Sequence, residues 1–397
     1  MPNVLQKVGE KMDKRFLAVC VMTYEHPQTV AKILKNFYFL AEELGFDIYY
    51  YDSSRDDETE KIVNDYQRKS KHVFYKRIPS DMPPDYKFLL PYDKANLPYE
   101  YKYLWPVKDR IVPDVTLIAN IYQRLLMGTD ILALSYGYAN DFFKEKAKQE
   151  SINKEKFYRD YAWLATDFYT IIYNYDTVLA DFCLEEITDR YFFDDENCKS
   201  KKCYFPHTAT LFHYLAKLQN PRIEIIRMGN NKKNTIFSDS IESGWKNSNI
   251  GIEIFGLYWP KINYALPSVY DRYKKPAIRK ETNLAVLFGS VDGLIALHFH
   301  EHDSLKYTKQ MLSAWADYSD IPLEIAEDIS QGDFTSAYTD FIEKFNHFVN
   351  SGEMEELAVL CHINAWIKTL TPFCNDKGAA EIFDKADEYF DKKLAYF

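Results

Sequence analysis

Short apolar runs alternate with segments of helical periodicity over the first 76 residues, and this alternation constrains the fold more than any other feature of the chain. Residues 15–22 form a continuous apolar run of strand length, which is typical of a strand buried on both faces in a parallel sheet. Apolar residues then recur at helical spacing from Val30 to Leu44, and Gly45 is placed to end that helix.

The stretch FDIYYYDSSRDDETEKIVNDY continues the same pattern. We expect a second strand at 47–51, a second helix at 58–68 and a third short strand at 73–76. The order β-α-β-α-β predicts an open α/β sheet, whose ligand crevice lies at the carboxyl ends of its strands. Thr23 and Asp52 both stand at such ends.

The rest of the chain gives weaker signals and divides into two parts. The expected elements are a long loop at 79–99, a strand at 101–106, a helix at 115–127, a strand at 130–135, helical structure at 139–170 and 178–187, a helix at 204–219, a strand at 223–227 and a mobile polar loop at 228–250. From about residue 300 onward the pattern is almost entirely helical, which predicts a separate helical module.

Charge and cysteine content exclude several classes of protein. The net charge of −10 argues against a general nucleic-acid binder, which normally carries a basic stripe. The six cysteines are scattered, match no zinc spacing and fit a reducing compartment. No signal peptide is recognisable, and no apolar run approaches the roughly 18 residues that a membrane span needs. We therefore expect a soluble, cytoplasmic protein.

The segments AVCVMTYEHPQTVAKIL and IYYYDSSRDDETEKIVNDY carry a family resemblance. The first is similar to the opening strand, Thr-Tyr turn and helix of family-2-like glycosyltransferases. The second resembles their second strand, which usually ends in two aspartates. The match covers about the first 110 residues, and 160–225 more loosely. It implies a GT-A fold, which is a nucleotide-sugar-binding α/β sheet with an acceptor subdomain.

The resemblance implies both an activity and a division into domains. Residues 1–300 would form an α/β, GT-A-like open mixed sheet flanked by helices, with a nucleotide-binding half at about 14–135 and an acceptor half at about 136–300. A C-terminal helical domain would follow at 301–397, and it could offer a face to a partner enzyme, a protein acceptor or a second subunit. The implied enzyme is an inverting hexosyltransferase that uses a UDP-sugar and a glycan or glycoprotein acceptor, similar to enzymes that decorate bacterial surface glycoproteins or wall polymers.

The resemblance also assigns residues to the nucleotide-sugar donor. Five residues are predicted to bind it: Thr23, Tyr24, Glu25, Asp52 and Lys108. Asp52 matches the second of the family's two aspartates and could accept hydrogen bonds from uracil or ribose, whereas Tyr51 stands in place of the first. The alternatives are a turn aspartate that bonds its own backbone and, for Thr23, a helix cap.

A divalent metal is the cofactor that the family pattern implies. Its Asp-x-Asp motif binds the metal and the diphosphate, but the corresponding place here offers only Asp109, preceded by Lys108. Asp109 is the predicted ligand for Mn²⁺ or Mg²⁺, which prefer carboxylate and phosphate oxygens. Lys108 or Arg110 could instead neutralise the leaving diphosphate directly. Metal dependence therefore stays open.

Two residues are candidates for catalysis. Asp167 lies in WLATDFYT, where similar enzymes place residues that face the acceptor, and it is the predicted base; Asp194 and Asp195 are rivals. His207 follows Pro206 at the start of a helix, where the helix dipole would lower its pKa and keep it neutral. His207 could contact the acceptor or the diphosphate.

Other functional hypotheses rest on less. The alternating His298, His300 and His302 could bind zinc if they lay on a strand, but ordinary packing or surface positions are expected. The incomplete acidic motifs also fit a degenerate transferase domain that serves as a non-catalytic scaffold or binding subunit. A nucleotidyltransferase would normally need a glycine-rich phosphate loop, and TYEHPQ contains no glycine.

Overall fold

The computed structural model describes residues 14–109, 111–113, 115–136, 149–194, 201–228, 235–237, 254 and 257–279, with the single positions 313, 323 and 327. The chain divides into two compact units, Met1–Ile241 with Ala265–Asp271 and Glu242–Tyr264 with Arg272–Phe397. The predicted helical module lies outside the described residues apart from those three positions, and so do Arg110, Asp195 and the three histidines. The boundary predicted near residue 300 stays a prediction.

The first unit holds the sheet and most of the described helices. Its strands are β1 (Arg15–Thr23), β2 (Asp47–Asp52), β3 (Val73–Arg77), β4 (Tyr101–Lys108), β5 (Ile111–Pro113), β6 (Ile131–Tyr136), β7 (Gln149–Ile152), β8 (Ile171–Asn174), β9 (Ile223–Met228) and β10 (Thr235–Phe237). Its helices are α1 (Pro27–Leu44), α2 (Glu58–Gln67), α3 (Pro84–Leu89), α4 (Val115–Leu126), α5 (Lys154–Tyr161), α6 (Leu184–Tyr191) and α7 (Pro206–Lys217), and a 3₁₀ helix spans Ala162–Thr166.

Eight of these strands form one open mixed sheet in the order β3-β2-β1-β4-β8-β6-β9-β7. The four strands β3, β2, β1 and β4 run parallel, and β8 is antiparallel to both of its neighbours. Strand β9 is parallel to β6, and β7 closes the edge in the antiparallel direction. The predicted fold class, an α/β open mixed sheet flanked by helices, is therefore confirmed.

The core explains why the first strands appear as continuous apolar runs. Apolar side chains of β1, β2 and β4 pack with those of α1 and α4 in one buried cluster, in which Val19, Ile33 and Trp105 are all fully enclosed. Helix α1 ends as predicted at Gly45, whose φ of 73° is left-handed and whose N–H donates to the Ala41 carbonyl at 2.9 Å.

Several predictions about the middle of the chain are wrong. The expected loop at 79–99 contains α3 and short 3₁₀ turns, because Pro84 opens a helix that buries Leu89. The expected helical stretch at 139–170 contains strand β7, which pairs with β9 at the sheet edge. The helix expected at 178–187 lies at Leu184–Tyr191 instead.

Three further strands, β5, β8 and β10, have no counterpart among the predicted elements. Strand β8 has four residues, all buried, and completes the sheet between β4 and β6. In the polar stretch expected to be a loop, β10 pairs antiparallel with β5. All three strands are too short for periodicity to reveal them, and partners that are distant in sequence stabilise each of them.

A buried polar network lies at the amino-terminal ends of the parallel strands, opposite the edge that carries Thr23 and Asp52. Asp47, at the start of β2, is 1% exposed and accepts hydrogen bonds from Arg15 Nη1, from His72 Nδ1 at 2.7 Å and from the Tyr101 hydroxyl. The Arg15 guanidinium also lies 3.5 Å from the centre of the Tyr99 ring. Three different strands are thus joined through one carboxylate.

The second unit is described mainly by two short helices, α8 (Trp259–Ala265) and α9 (Lys274–Arg279). Trp259 is buried, and its indole N–H donates to the Ile278 carbonyl at 3.4 Å. The Lys274 ammonium donates to the Tyr264 carbonyl at 2.9 Å. These bonds tie the two helices of this unit to each other.

Candidate functional site

The carboxyl ends of three adjacent parallel strands bring together residues that the sequence singled out. Strand β1 ends at Thr23, β2 at Asp52 and β4 at Lys108. Thr23 is paired in register with Asp52, and Met22 is paired with Lys108. The crevice of an open α/β sheet lies at this edge, so these side chains define the candidate site.

Asp52 is completely buried, and its own chain holds it. Its Oδ1 accepts from the Ser54 N–H at 2.8 Å, and its Oδ2 accepts from the Tyr75 hydroxyl at 2.8 Å. The bond to a residue two positions on is the turn contact that aspartates commonly make. Burial raises the pKa of Tyr75, so its hydroxyl stays a donor. A ligand would reach Asp52 only after this loop or Tyr75 moves.

Asp109, the predicted metal ligand, joins the end of β4 to the start of α1. Its Oδ2 accepts from His26 Nδ1 at 2.8 Å and, more weakly, from the Tyr24 N–H at 3.4 Å. The Asp109 N–H donates to the Met22 carbonyl at 3.3 Å. His26 was not among the predicted residues; its place directly before the helix-opening Pro27 was the available signal.

The turn between β1 and α1 has a constrained backbone. Glu25 has a φ of 54°, which is rare for a residue with a side chain, and its N–H donates to Ser54 Oγ at 2.7 Å. Such conformations cost of order 1–3 kcal/mol and concentrate at functional sites. Tyr24 is 37% exposed, and the Lys87 ammonium lies 5.5 Å from the centre of its ring.

Lys108 and Asp167 form an ion pair within the site. The Lys108 Nζ lies 3.3 Å from Asp167 Oδ1, although the two residues are 59 positions apart in the chain. The two side chains are 32% and 23% exposed, so the pair stands at the surface of the crevice. The sequence predicted both residues for the site but gave no indication that they touch.

A buried hydrogen bond between Trp105 and Tyr169, the tether, links the chain segments that carry Lys108 and Asp167. The indole N–H of Trp105, three residues before Lys108, donates to the carbonyl of Tyr169 at 2.9 Å. Tyr169 follows Asp167 by two residues, and its ring centre lies 5.7 Å from the Lys108 Nζ. Because Trp105 is fully buried, the tether is shielded from water.

His207 lies beside the pair, at the start of α7, and is buried. Its Nε2 donates to the Thr166 carbonyl at 3.2 Å, and its Nδ1 has no hydrogen-bond partner in the described part of the chain. Burial lowers the pKa of His207 to about 4. The predicted neutral state is therefore confirmed, with burial rather than the helix dipole as the main cause.

His207 predicts an acid-dependent loss of stability. Because its pKa is about 4 in the folded chain, against an ordinary value of 6.5, the unfolded chain binds a proton more readily. The stabilisation is fully present above about pH 6.5 and declines toward pH 4, by up to about 3 kcal/mol. The variant His207→Gln keeps a donor for the Thr166 carbonyl but does not titrate. We expect the free energy of unfolding of this variant, measured with urea, to change less between pH 4 and pH 6.5 than that of wild type. An equal pH dependence in the two proteins would contradict the prediction.

Asp85 positions the chain that leads into α7. It is buried and accepts from the Cys203 N–H at 2.7 Å and the Tyr204 N–H at 3.1 Å, and burial raises its pKa. Tyr204 has a left-handed φ of 61°, which these bonds stabilise. Asp85 was missed because the stretch around it was expected to be a loop. Asp85 thus positions His207 and is not a member of the ion pair between Lys108 and Asp167.

The described residues do not build a metal site by themselves. Among the ranges that the structure describes, no group of three or more His, Cys, Asp or Glu side chains could hold a metal ion. Asp109 offers one carboxylate, whose Oδ2 is already bonded to His26 and Tyr24. Mg²⁺ and Mn²⁺ prefer several oxygen ligands, which would then have to come from water and a bound phosphate. The metal role of Asp109 stays a prediction.

One further site prediction, Asp194, lies within the described residues. Asp194 is exposed, next to the isolated bridge between Phe193 and Lys202. It stays an untested rival of Asp167 for the role of base.

Over the part of the chain that was searched, no helix combines the length and the apolar character that a membrane crossing requires.

No protein-family model matches the chain, and no curated protein matches it. Several solved structures are similar to the chain.

The first is S. aureus TarS (residues 1–349), with 16% identity, a TM-score of 0.43 and coverage of 80% of this chain and 92% of that one. Glucosyl-3-phosphoglycerate synthase from Mycobacterium tuberculosis, in complex with Mn²⁺, UDP and glucosyl-3-phosphoglycerate, has 11% identity, a TM-score of 0.39 and coverage of 64% and 81%. The mannosyltransferase PcManGT from Pyrobaculum calidifontis, in complex with GDP-Man and Mn²⁺, has 9% identity, a TM-score of 0.37 and coverage of 81% and 88%.

Proposed function

We propose that this chain is a glycosyltransferase that moves a sugar from a nucleotide-sugar donor, a UDP-sugar, to a hydroxyl group of a glycan or glycoprotein. One observation carries the proposal. At the carboxyl edge of the parallel strands, the ammonium of Lys108 and the carboxylate of Asp167 meet at 3.3 Å, where β4 ends next to β1 and two strands from β2. The sequence resemblance assigns the same edge to the donor.

The transfer requires a carboxylate that takes the proton of the acceptor and a cation that stabilises the leaving group. The acceptor oxygen attacks the anomeric carbon while its proton passes to Asp167, the general base. The bond between that carbon and the diphosphate oxygen breaks, and its electron pair stays on the diphosphate. Lys108 stabilises the negative charge that develops there. Attack from the face opposite the leaving group inverts the anomeric configuration.

The donor half of the site rests on the end of β1. The Thr23 hydroxyl is buried and has no hydrogen-bond partner within the described residues. A buried polar group without a partner is costly, so a ligand or water that bonds it is favoured. Tyr24 follows with an exposed ring that can stack on a nucleobase or sugar. These two residues and Asp52 are the proposed nucleotide contacts.

The test of this proposal is nucleotide binding by the purified full chain. We expect UDP, among UDP, GDP and CMP, to raise the melting temperature, because a ligand at about 100 times its Kd stabilises by about 2.7 kcal/mol. Thr23→Val removes the hydroxyl at constant shape and is expected to weaken UDP binding about 10-fold, which is about 1.4 kcal/mol. Thr59→Val is the matched control, since Thr59 on α2 also has a buried hydroxyl that finds no partner among the described residues. Absence of any nucleotide effect would overturn the proposal and favour a non-catalytic scaffold.

A further inference from the structure

We propose that Lys108 is the fixed cation of the donor site and that it exchanges partners during the reaction cycle. Its ammonium pairs with Asp167 before the donor binds and with the diphosphate afterwards. Donor binding then needs no divalent metal ion. This inference rests on the proposed function, because it assigns the diphosphate of that donor to a particular side chain.

The chemistry of the strand end supports a lysine in the place of a metal ion. At the end of β4 the chain presents the Lys108 ammonium, whereas the carboxylate of Asp109 is bonded to His26 and holds the start of α1. An ammonium carries three donors and a full positive charge, which suits phosphate oxygens. A fixed cation at this position supplies charge that a bound metal would otherwise supply.

The geometry of the ion pair supports the exchange. At 3.3 Å, the contact between Nζ and Oδ1 is longer than the 2.7–2.9 Å typical of a strong charge-assisted bond. Both side chains are partly exposed, so an incoming diphosphate can reach the ammonium without unfolding the site. A diphosphate carries more negative charge than a carboxylate and competes for the same ammonium.

The experiment is a calorimetric titration of UDP into the full chain, in EDTA and separately in Mn²⁺. We expect wild type to bind UDP with similar affinity in both buffers. Lys108→Ala should bind about 10–100-fold more weakly, the effect of losing a charge-assisted contact, and Lys108→Arg should bind nearly as well as wild type. Lys102→Ala is the matched control, because Lys102 lies on the same strand near its opposite end. It should bind as wild type does.

A second variant tests the exchange itself. Asp167→Asn removes the competitor for the ammonium, so UDP should bind about 1.5–5-fold more tightly, a gain of the size measured for partly exposed charged pairs. The same variant would bind UDP more weakly if Asp167 held the donor through a metal ion.

The outcomes separate this inference from the function on which it rests. Binding that requires Mn²⁺ and ignores Lys108→Ala would overturn the inference and leave the glycosyltransferase proposal standing. Weaker binding by Asp167→Asn would overturn the exchange. Absence of UDP binding in both buffers would overturn the proposed function instead. If Lys108→Ala does not fold, as judged by its melting temperature, Lys108→Arg and Asp167→Asn still decide the result.

Discussion

Replacing Asp167 with asparagine is expected to lower the rate of sugar transfer about 10²–10⁴-fold, the usual contribution of a positioned general base. Asparagine keeps the size of the side chain but cannot take a proton from the acceptor hydroxyl. The fold should survive, because Asp167 is partly exposed and the neighbouring backbone is held by the bond from Trp105 to Tyr169. The measurement is release of the nucleoside diphosphate in the presence of donor and acceptor.

A matched control is available on α5. Asp160 lies 3.3 Å from the Lys156 ammonium, the same separation as in the pair formed by Asp167. It lies within α5 and is not a predicted site residue, so Asp160→Asn should transfer sugar at nearly the wild-type rate. Equal rates for both variants and wild type would show that Asp167 is not the base and would favour Asp194 in that role.

The second large effect concerns stability. Asp47→Ala is expected to lower the free energy of unfolding by about 3–5 kcal/mol, since it removes a buried carboxylate that accepts three hydrogen bonds, each contributing about 1–1.5 kcal/mol. Arg15, His72 and the Tyr101 hydroxyl all lose the carboxylate that joins them. Urea unfolding followed by tryptophan fluorescence measures the change, with the midpoint shifting to lower urea at an unchanged slope.

An exposed ion pair provides the comparison for Asp47. Asp65 lies 3.3 Å from Arg68 on the solvent side of α2, and both side chains are more than half exposed. Asp65→Ala should change the free energy of unfolding by less than about 0.5 kcal/mol. A loss at Asp47 no larger than this would mean that the network at the start of β2 contributes nothing beyond a surface pair.

The sequence predicted the parallel half of the sheet well, for a physical reason. Strands buried on both faces must be apolar throughout, and a left-handed residue at the end of a helix favours glycine. Strand β1 and the helix end at Gly45 could therefore be predicted. Strand β8 was not, because four residues carry no readable period and its pairing partners come from β4 and β6. Strand β7 was hidden in a similar way, since its stability comes from β9.

The site was only partly predictable. Residues at strand ends could be placed at one edge because parallel strands share their direction, which located Thr23 and Asp52, whereas Lys108 came from the family resemblance. The ion pair with Asp167 could not be foreseen, since it depends on where a 3₁₀ helix distant in sequence comes to lie. His26 and Asp85 were missed as well: each bonds groups far along the chain, and the stretch around Asp85 was expected to be a loop.

The tether from Trp105 to Tyr169 has a consequence for kinetics. It holds the backbone near Lys108 and Asp167 at a fixed separation, so these side chains can unpair without any movement of the main chain. Rotation of partly exposed side chains takes picoseconds to nanoseconds, far less than a loop or domain closure. Partner exchange at Lys108 would then add no slow step of its own, and the time needed to engage a diphosphate would be set by its diffusion into the crevice.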